Sequence, residues 1–290
     1  MRYSVTLSYS GADFCGWQKQ PGAPSVQETL ENALGTLTGQ PVAVVGAGRT
    51  DTGVGAVGYV AHFEVPAELD AQWLCCKLNA ILPHQIAVQK VMPATPEFHA
   101  RFDATMREYT YFLHRRKDPF AQGWSYLYGY PGLDFGLMDR AAALLAGTHD
   151  FSSFQKKGSD NRTTICTVFE AGWHPYVPTH VSILGHSDSL YGQFPEGGVS
   201  SGKSRDFERY FPSDTPPSGK QSDYWYFRIS ADRFLRNMVR AIVGTLLEVG
   251  RGRRTLEGFA ELIGGGSRSD AGESAPGHAL FLSRIEYPEK

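Results

Sequence analysis

The sequence predicts an α+β protein of two related halves, each a mainly antiparallel sheet flanked by helices. Three observations point there. Alternating β-branched and aromatic runs are interleaved with stretches of helical periodicity, so neither an all-α nor an all-β class suits the chain. The first of these runs fall in the order strand, helix, strand, strand, helix, strand, and the second part of the chain loosely repeats it. That is the ferredoxin-like, or RRM-like, order. Finally, 290 residues with 41% hydrophobic and 20% charged side chains leave room for one large domain or two smaller ones.

The elements of the first half, residues 1–97, follow in turn. Arg2 to Tyr9 alternates like a half-buried strand. Ser25-Val26-Gln27-Glu28 has the form of a capping box, in which a serine oxygen takes the N3 amide and the glutamate reaches back. It opens a helix with Val26, Leu30, Ala33, Leu34 and Leu37 on one face, ended by Gly39 and Pro41. Two strands are expected at 42–47 and 57–65. Asp70 caps a second helix with Leu74, Leu78, Ile81 and Leu82 on its apolar side, and Pro83 stops it. A strand from Ile86 to Met92 closes the unit.

The second half, residues 98–290, is joined near 93–100. It carries a strand over 107–113, a helix over 135–146 stopped by Gly147, and strands near 164–172 and 224–231. A long apolar helix is expected over 234–249, a short one over 256–263, and a last strand over 280–287. Residues 179–222 interrupt this half with Ser-, Gly-, Pro- and Asp-rich sequence of no sustained period, an excursion too long for an ordinary loop. Within it Gly197 to Ser204 matches the phosphate-loop pattern of nucleotide triphosphatases. Neither a delivering strand nor a receiving helix accompanies Lys203, so nucleotide hydrolysis is a poor reading.

Composition excludes further classes. No apolar stretch approaches the ~20 residues of a membrane span, and the N-terminal residues begin directly in a strand pattern rather than a signal peptide. Cys15, Cys75, Cys76 and Cys166 make no metal-ligand spacing and read as free thiols of a cytoplasmic protein. Net charge is −2, yet cations cluster: Arg101, Arg107, His114, Arg115, Arg116 and Lys117; Lys156, Lys157 and Arg162; Arg228, Arg233, Arg236 and Arg240; Arg251, Arg253 and Arg254. Clusters on a near-neutral chain suit a local polyanion track, although solvated faces produce the same pattern.

The segment Gly46-Ala47-Gly48-Arg49-Thr50-Asp51-Thr52-Gly53-Val54-Gly55 stands apart. Its glycines permit positive φ and close approach of a partner. Asp51, two residues from a guanidinium, reads as a carboxylate presented to a ligand, with a plain turn as the alternative. A dinucleotide fingerprint fails for want of the third glycine and a following helix.

Together with this segment, several ordered blocks resemble the TruA-type tRNA pseudouridine synthases. They are Tyr9 to Gln20, Ser25 to Glu28, Gly48 to Val54, Leu78 to Pro83, Phe98 to Phe102, Arg107 to Tyr111, Asp150 to Phe154, Phe234 to Arg240, and Ala275-Pro276. The resemblance covers nearly all the chain outside 179–222. It implies conversion of uridine to pseudouridine in the anticodon arm of tRNA by a homodimer, without cofactor or metal, in a cleft between the two halves. The implied catalytic group is Asp51, as nucleophile or base. Tyr109 is implied to lie against the target base, Arg240 to pair with the carboxylate, and Arg49 to fill the vacated stack or hold phosphate. Arg101, Lys156, Lys157 and Arg162 are candidate RNA contacts. Tyr111 has the parity of Tyr109 and competes for its place. Two departures are visible: Gly55 stands where these enzymes usually carry His, and Ala279-Leu280-Phe281-Leu282 replaces their Gly-Leu-Tyr-Leu. The rival from another class is a non-catalytic RNA-binding module of the same fold.

Overall fold

A computed structural model describes residues 1–158, 162–180 and 222–288. Most of the expected excursion at 179–222, including Lys203, lies outside the described residues. The chain is mixed α+β. Its strands are β1 (Arg2–Tyr9), β2 (Val44–Gly46), β3 (Gly55–Glu64), β4 (Ile86–Ala94), β5 (Met106–His114), β6 (Tyr126–Leu127), β7 (Gly147–Asp150), β8 (Ile165–Pro175), β9 (Tyr224–Ala231) and β10 (Leu280–Glu286). Helices are α1 (Val26–Thr38), α2 (Ala71–Ile81), α3 (Phe135–Ala143), α4 (Met238–Gly250) and α5 (Leu256–Ile263).

All ten strands join one open sheet in the order β4-β1-β3-β10-β5-β9-β8-β7, with β2 beside β3 and β6 beside β5. Pairing is antiparallel except at β5–β6 and at β3–β10, where Phe281 meets Gly55 and Leu282 meets Ala56. The last strand of the chain therefore fills the middle of the sheet. The alternation of β1 puts Tyr3, Val5, Leu7 and Tyr9 on one buried face, as its period of two requires. These residues pack with Val26, Leu30 and Leu34 of α1 and with Leu74 and Leu78 of α2. A second cluster gathers Tyr111 and Leu113 of β5, Phe227 and Ile229 of β9, and the apolar length of α4. Tyr109 packs against both clusters.

Several boundaries differ from the pattern reading. The Ser25 oxygen does accept from Glu28 N at 3.3 Å, but the Glu28 carboxylate turns to Lys19, 3.6 Å away, so only half the capping box is made. Ile81 is exposed at the end of α2, and Leu82 is the cap. Gly147 does more than stop α3, which ends at Ala143; it begins β7. The long apolar helix starts at Met238 rather than Phe234, because Asn237 takes a left-handed φ of 66° and breaks the first turn.

Candidate active site

Residues 47–54 form the loop between β2 and β3, and the first segment of the chain and β3 together grip it. Ala47 N donates to Val60 O, Trp17 N to Thr50 O, and Gly53 N to Phe14 O. The buried Tyr9 hydroxyl shares a 2.9 Å hydrogen bond with Thr50 Oγ1, and Tyr59 donates to Gly48 O. Burial raises both phenols well above their ordinary values, so both stay neutral hydroxyls. Gly16 has φ +95°, and a Cβ there would stand 2.2 Å from Thr50 O. From the other side, a Cβ on Gly277 would stand 2.4 Å from Thr52 O. Both positions must stay bare for the loop to be clamped between 11–17 and 277–279.

The carboxylate this loop presents is three-quarters covered, with 23% of its side chain exposed. Arg236 Nε lies 3.8 Å from Asp51 Oδ1, and Arg240 Nη1 lies 3.9 Å from Oδ2. Arg240, in the first turn of α4, is fixed by donation from Nε to Ala275 O at 2.7 Å, and its own carbonyl accepts from Ala275 N. Tyr109 on β5 completes the group. Burial, with the Asp51 charge adding to it, pushes its phenol above the ordinary tyrosine value. At neutral pH it is therefore a hydroxyl donor rather than a phenolate. Phe234 meets its ring edge-on at 5.1 Å.

The structure thus brings Asp51, Tyr109 and Arg240 together. Arg49 is exposed two residues before Asp51, and its side chain makes no ion pair among the described residues. Lys156 reaches the site through its backbone, whose N–H donates to Arg236 O at 3.0 Å, and Lys157 follows it on the exposed surface. Arg101 is exposed with its guanidinium over Phe102. Arg162 is exposed just before β8, and no contact ties it to the Asp51 group among the described residues. Tyr111, fully buried, turns its ring edge toward Tyr126 and finds no hydrogen-bond partner for its hydroxyl among the described residues.

Two members escaped the sequence reading. Arg236 was visible in a cation cluster and inside the Phe234-to-Arg240 block but was given no role, and the left-handed Asn237 just after it sets it outside α4. Arg107 is a strut: Nη2 donates to Ala47 O and Arg101 O, and Nη1 to Asp232 O and Ala104 O. It joins the carboxylate loop to the end of β9 with carbonyls alone. Its place in the Arg107-Glu108-Tyr109 block was the available signal. The two departures, Gly55 and Phe281, touch: a Cβ on Gly55 would come 2.6 Å from the Phe281 ring. The Phe281 ring occupies the space that a larger residue at 55 would need.

A carboxylate gripped this firmly, with a guanidinium near each oxygen and a phenol beside it, is an enzyme-like centre poised for nucleophilic or general-base chemistry. Known proteins sharpen that class. The tRNA pseudouridine synthase family matches residues 6–103 and 141–288, and the chain belongs to this family. Tyr109 falls between the two matched stretches, but full-length relatives align across it. The tRNA pseudouridine synthase A of Parabacteroides distasonis is 43% identical, the alignment spanning 100% of this chain and 97% of the relative. The protein of that name from Porphyromonas gingivalis is 43% identical over 99% of this chain and 97% of its own length. That of Neisseria gonorrhoeae is 37% identical over 99% and 92%.

Proposed function

We propose that this chain isomerises uridine to pseudouridine in the anticodon stem-loop of tRNAs, with Asp51 as the catalytic carboxylate. The observation that carries the reading is the Asp51 group itself, one carboxylate held by a rigid loop beside Tyr109 and within 4 Å of two guanidinium groups. The reaction breaks the C1′–N1 bond, turns the uracil, joins C5 to C1′, releases the proton from C5 and leaves N1 carrying a proton in its place. Atoms and electrons balance within the substrate.

Each residue has a task. The base must leave its stack, which costs a few kcal/mol. Tyr109 receives it, and stacking on an aromatic face returns on the order of 1–3 kcal/mol. Arg240 aims Asp51 at the glycosidic carbon. Arg49, exposed on the same loop, takes the vacated space or the adjacent phosphate. Arg101, Lys156, Lys157 and Arg162 bind phosphates along the approach.

The site lies in a cleft between two ferredoxin-like halves, residues 1–97 and 98–290. Strand order supports this division: with the short β6 and β7 left aside, β10-β5-β9-β8 in the second half repeats the fourth-first-third-second order of β4-β1-β3-β2 in the first. Two hydrophobic clusters, one drawn mainly from each half and bridged by Tyr109, support it as well. The protein works in the cytoplasm as a homodimer, which lets modest cation clusters sum over two chains. Among the described residues no helix is long and apolar enough to cross a membrane.

The experiment is tritium release from tRNA labelled at uridine C5, followed by mapping of pseudouridine in the product. Release with product in the anticodon arm is expected. Tight tRNA binding without release would instead establish the non-catalytic RNA-binding module.

A further inference from the structure

The two guanidinium groups beside Asp51 are held very differently. Arg240 is 22% exposed and is bolted to the 272–279 loop by its Nε–Ala275 hydrogen bond. Arg236 is 48% exposed, and its side chain makes no hydrogen bond among the described residues. Its contact with Oδ1, at 3.8 Å, is too long to be a hydrogen bond. The left-handed Asn237 explains the difference. It places Arg236 outside α4, whereas a continuous helix would have stacked the two arginines on one face, one turn apart.

We infer that Arg236 is a removable cover on Asp51 Oδ1 and a binding residue for a phosphate of the incoming RNA, so that Oδ1 is the oxygen that meets the substrate while Oδ2 stays with Arg240. The inference rests on the proposed role of Asp51. A guanidinium gains from the exchange: it gives up a carboxylate it does not hydrogen-bond and takes a phosphate it can grip with two N–H groups. Its surroundings suit a phosphate. The Arg236 carbonyl accepts from Lys156 N at 3.0 Å, which fixes the exposed Lys156-Lys157 pair against the same stretch of backbone. RNA that docks on this surface therefore draws Arg236 away from the carboxylate it covers in the free protein. Binding and uncovering become one event, and Asp51 Oδ1 stays covered until RNA arrives.

The test measures Kd, its salt dependence, KM and kcat for Arg236→Gln, Arg236→Lys, Arg240→Gln and Asp51→Asn on one tRNA transcript. For Arg236→Gln the expectation is a kcat/KM loss of about tenfold that sits in KM and Kd, with log Kd losing about one phosphate's worth of salt slope. The slope should return in Arg236→Lys, which restores the charge. Arg240→Gln should lose kcat and keep the slope. An unchanged slope in Arg236→Gln overturns the inference, as does a kcat loss matching that of Arg240→Gln. Asp51→Asn separates the two failures. If it turns over, the role of Asp51 has failed; if it is inert while Arg236→Gln behaves in either overturning way, only the cover has failed.

Discussion

The carboxylate loop is held by two regions that do opposite things. The first seventeen residues and β3 hold it with neutral groups: the Tyr9 hydroxyl on the Thr50 side chain, and on the backbone the Tyr59 hydroxyl, the Trp17 N–H and the Phe14 and Val60 carbonyls. The region from Phe234 to Gly277 supplies charge through Arg236 and Arg240 and meets the loop backbone at the bare Gly277. One region fixes where Asp51 is. The other sets the field it sits in. Damage on the first side should therefore appear as lost stability, and damage on the second as lost turnover in a protein that still folds.

The largest effect that sharpens this contrast lies on the charged side. Arg240→Gln should lower kcat by about 10²–10³-fold, the range seen when a preorganised charge partner is removed from a reacting group. Its thermal midpoint should fall only modestly, by the loss of the Nε–Ala275 hydrogen bond. A large fall in midpoint with normal kcat would exchange the roles of the two regions.

Next come the tyrosines. Tyr109→Leu should abolish productive base binding in single-turnover assays. Tyr109→Phe should keep RNA affinity, and its rate reports whether the hydroxyl moves a proton. Tyr111→Phe should be mild in turnover and neutral in stability, because it removes a buried hydroxyl that has no partner among the described residues. A severe Tyr111→Phe defect beside an active Tyr109→Leu would assign the base to the wrong tyrosine.

On the gripping side, Gly16→Ala should cost about 2–4 kcal/mol of stability, since it forces a Cβ onto the Thr50 carbonyl at a positive φ. Chemical denaturation measures it, and a loss under about 0.5 kcal/mol would mean the loop is not clamped there.

The smallest effect concerns His62 on β3, whose Nδ1 accepts from Ala100 N at 3.1 Å. Burial, then the neighbouring His99, lowers its pKa from 6.5 to about 4. The folded state keeps this ring neutral while the unfolded chain protonates it below pH 6.5. Its contribution is present above pH 6.5 and is lost as pH falls through 4. The thermal midpoint of the wild type should therefore drop more between pH 7 and 4.5 than that of His62→Asn; equal slopes would contradict the assignment.

Local features were legible in the sequence where a local cause set them. Asp70 caps α2 with bonds to Gln72 N and Trp73 N, and β1 alternates as its residues demand. Asp51, Tyr109 and Arg240 were legible through ordered blocks, since each sits in a short stretch with its own signature. What escaped depends on distant or single-residue geometry. The apolar period runs unbroken from Phe234 into α4, so nothing in it reveals that Asn237 turns left-handed and Leu235 is buried without being helical. The two-residue β6 has no period to detect. The central place of β10 is a pairing between the end of the chain and its first third, which no window of sequence contains. Arg236 was lost for the same reason as the helix start.

The role of Asp51 as the catalytic carboxylate is tested most directly by Asp51→Asn, with tRNA binding and single-turnover pseudouridine formation measured on the same preparation. The amide keeps the shape of the side chain and loses its charge and nucleophilicity. Binding within about threefold of wild type, with no detectable tritium release, is the predicted result. Substantial turnover by this variant would remove Asp51 from the chemistry and leave its loop a structural element.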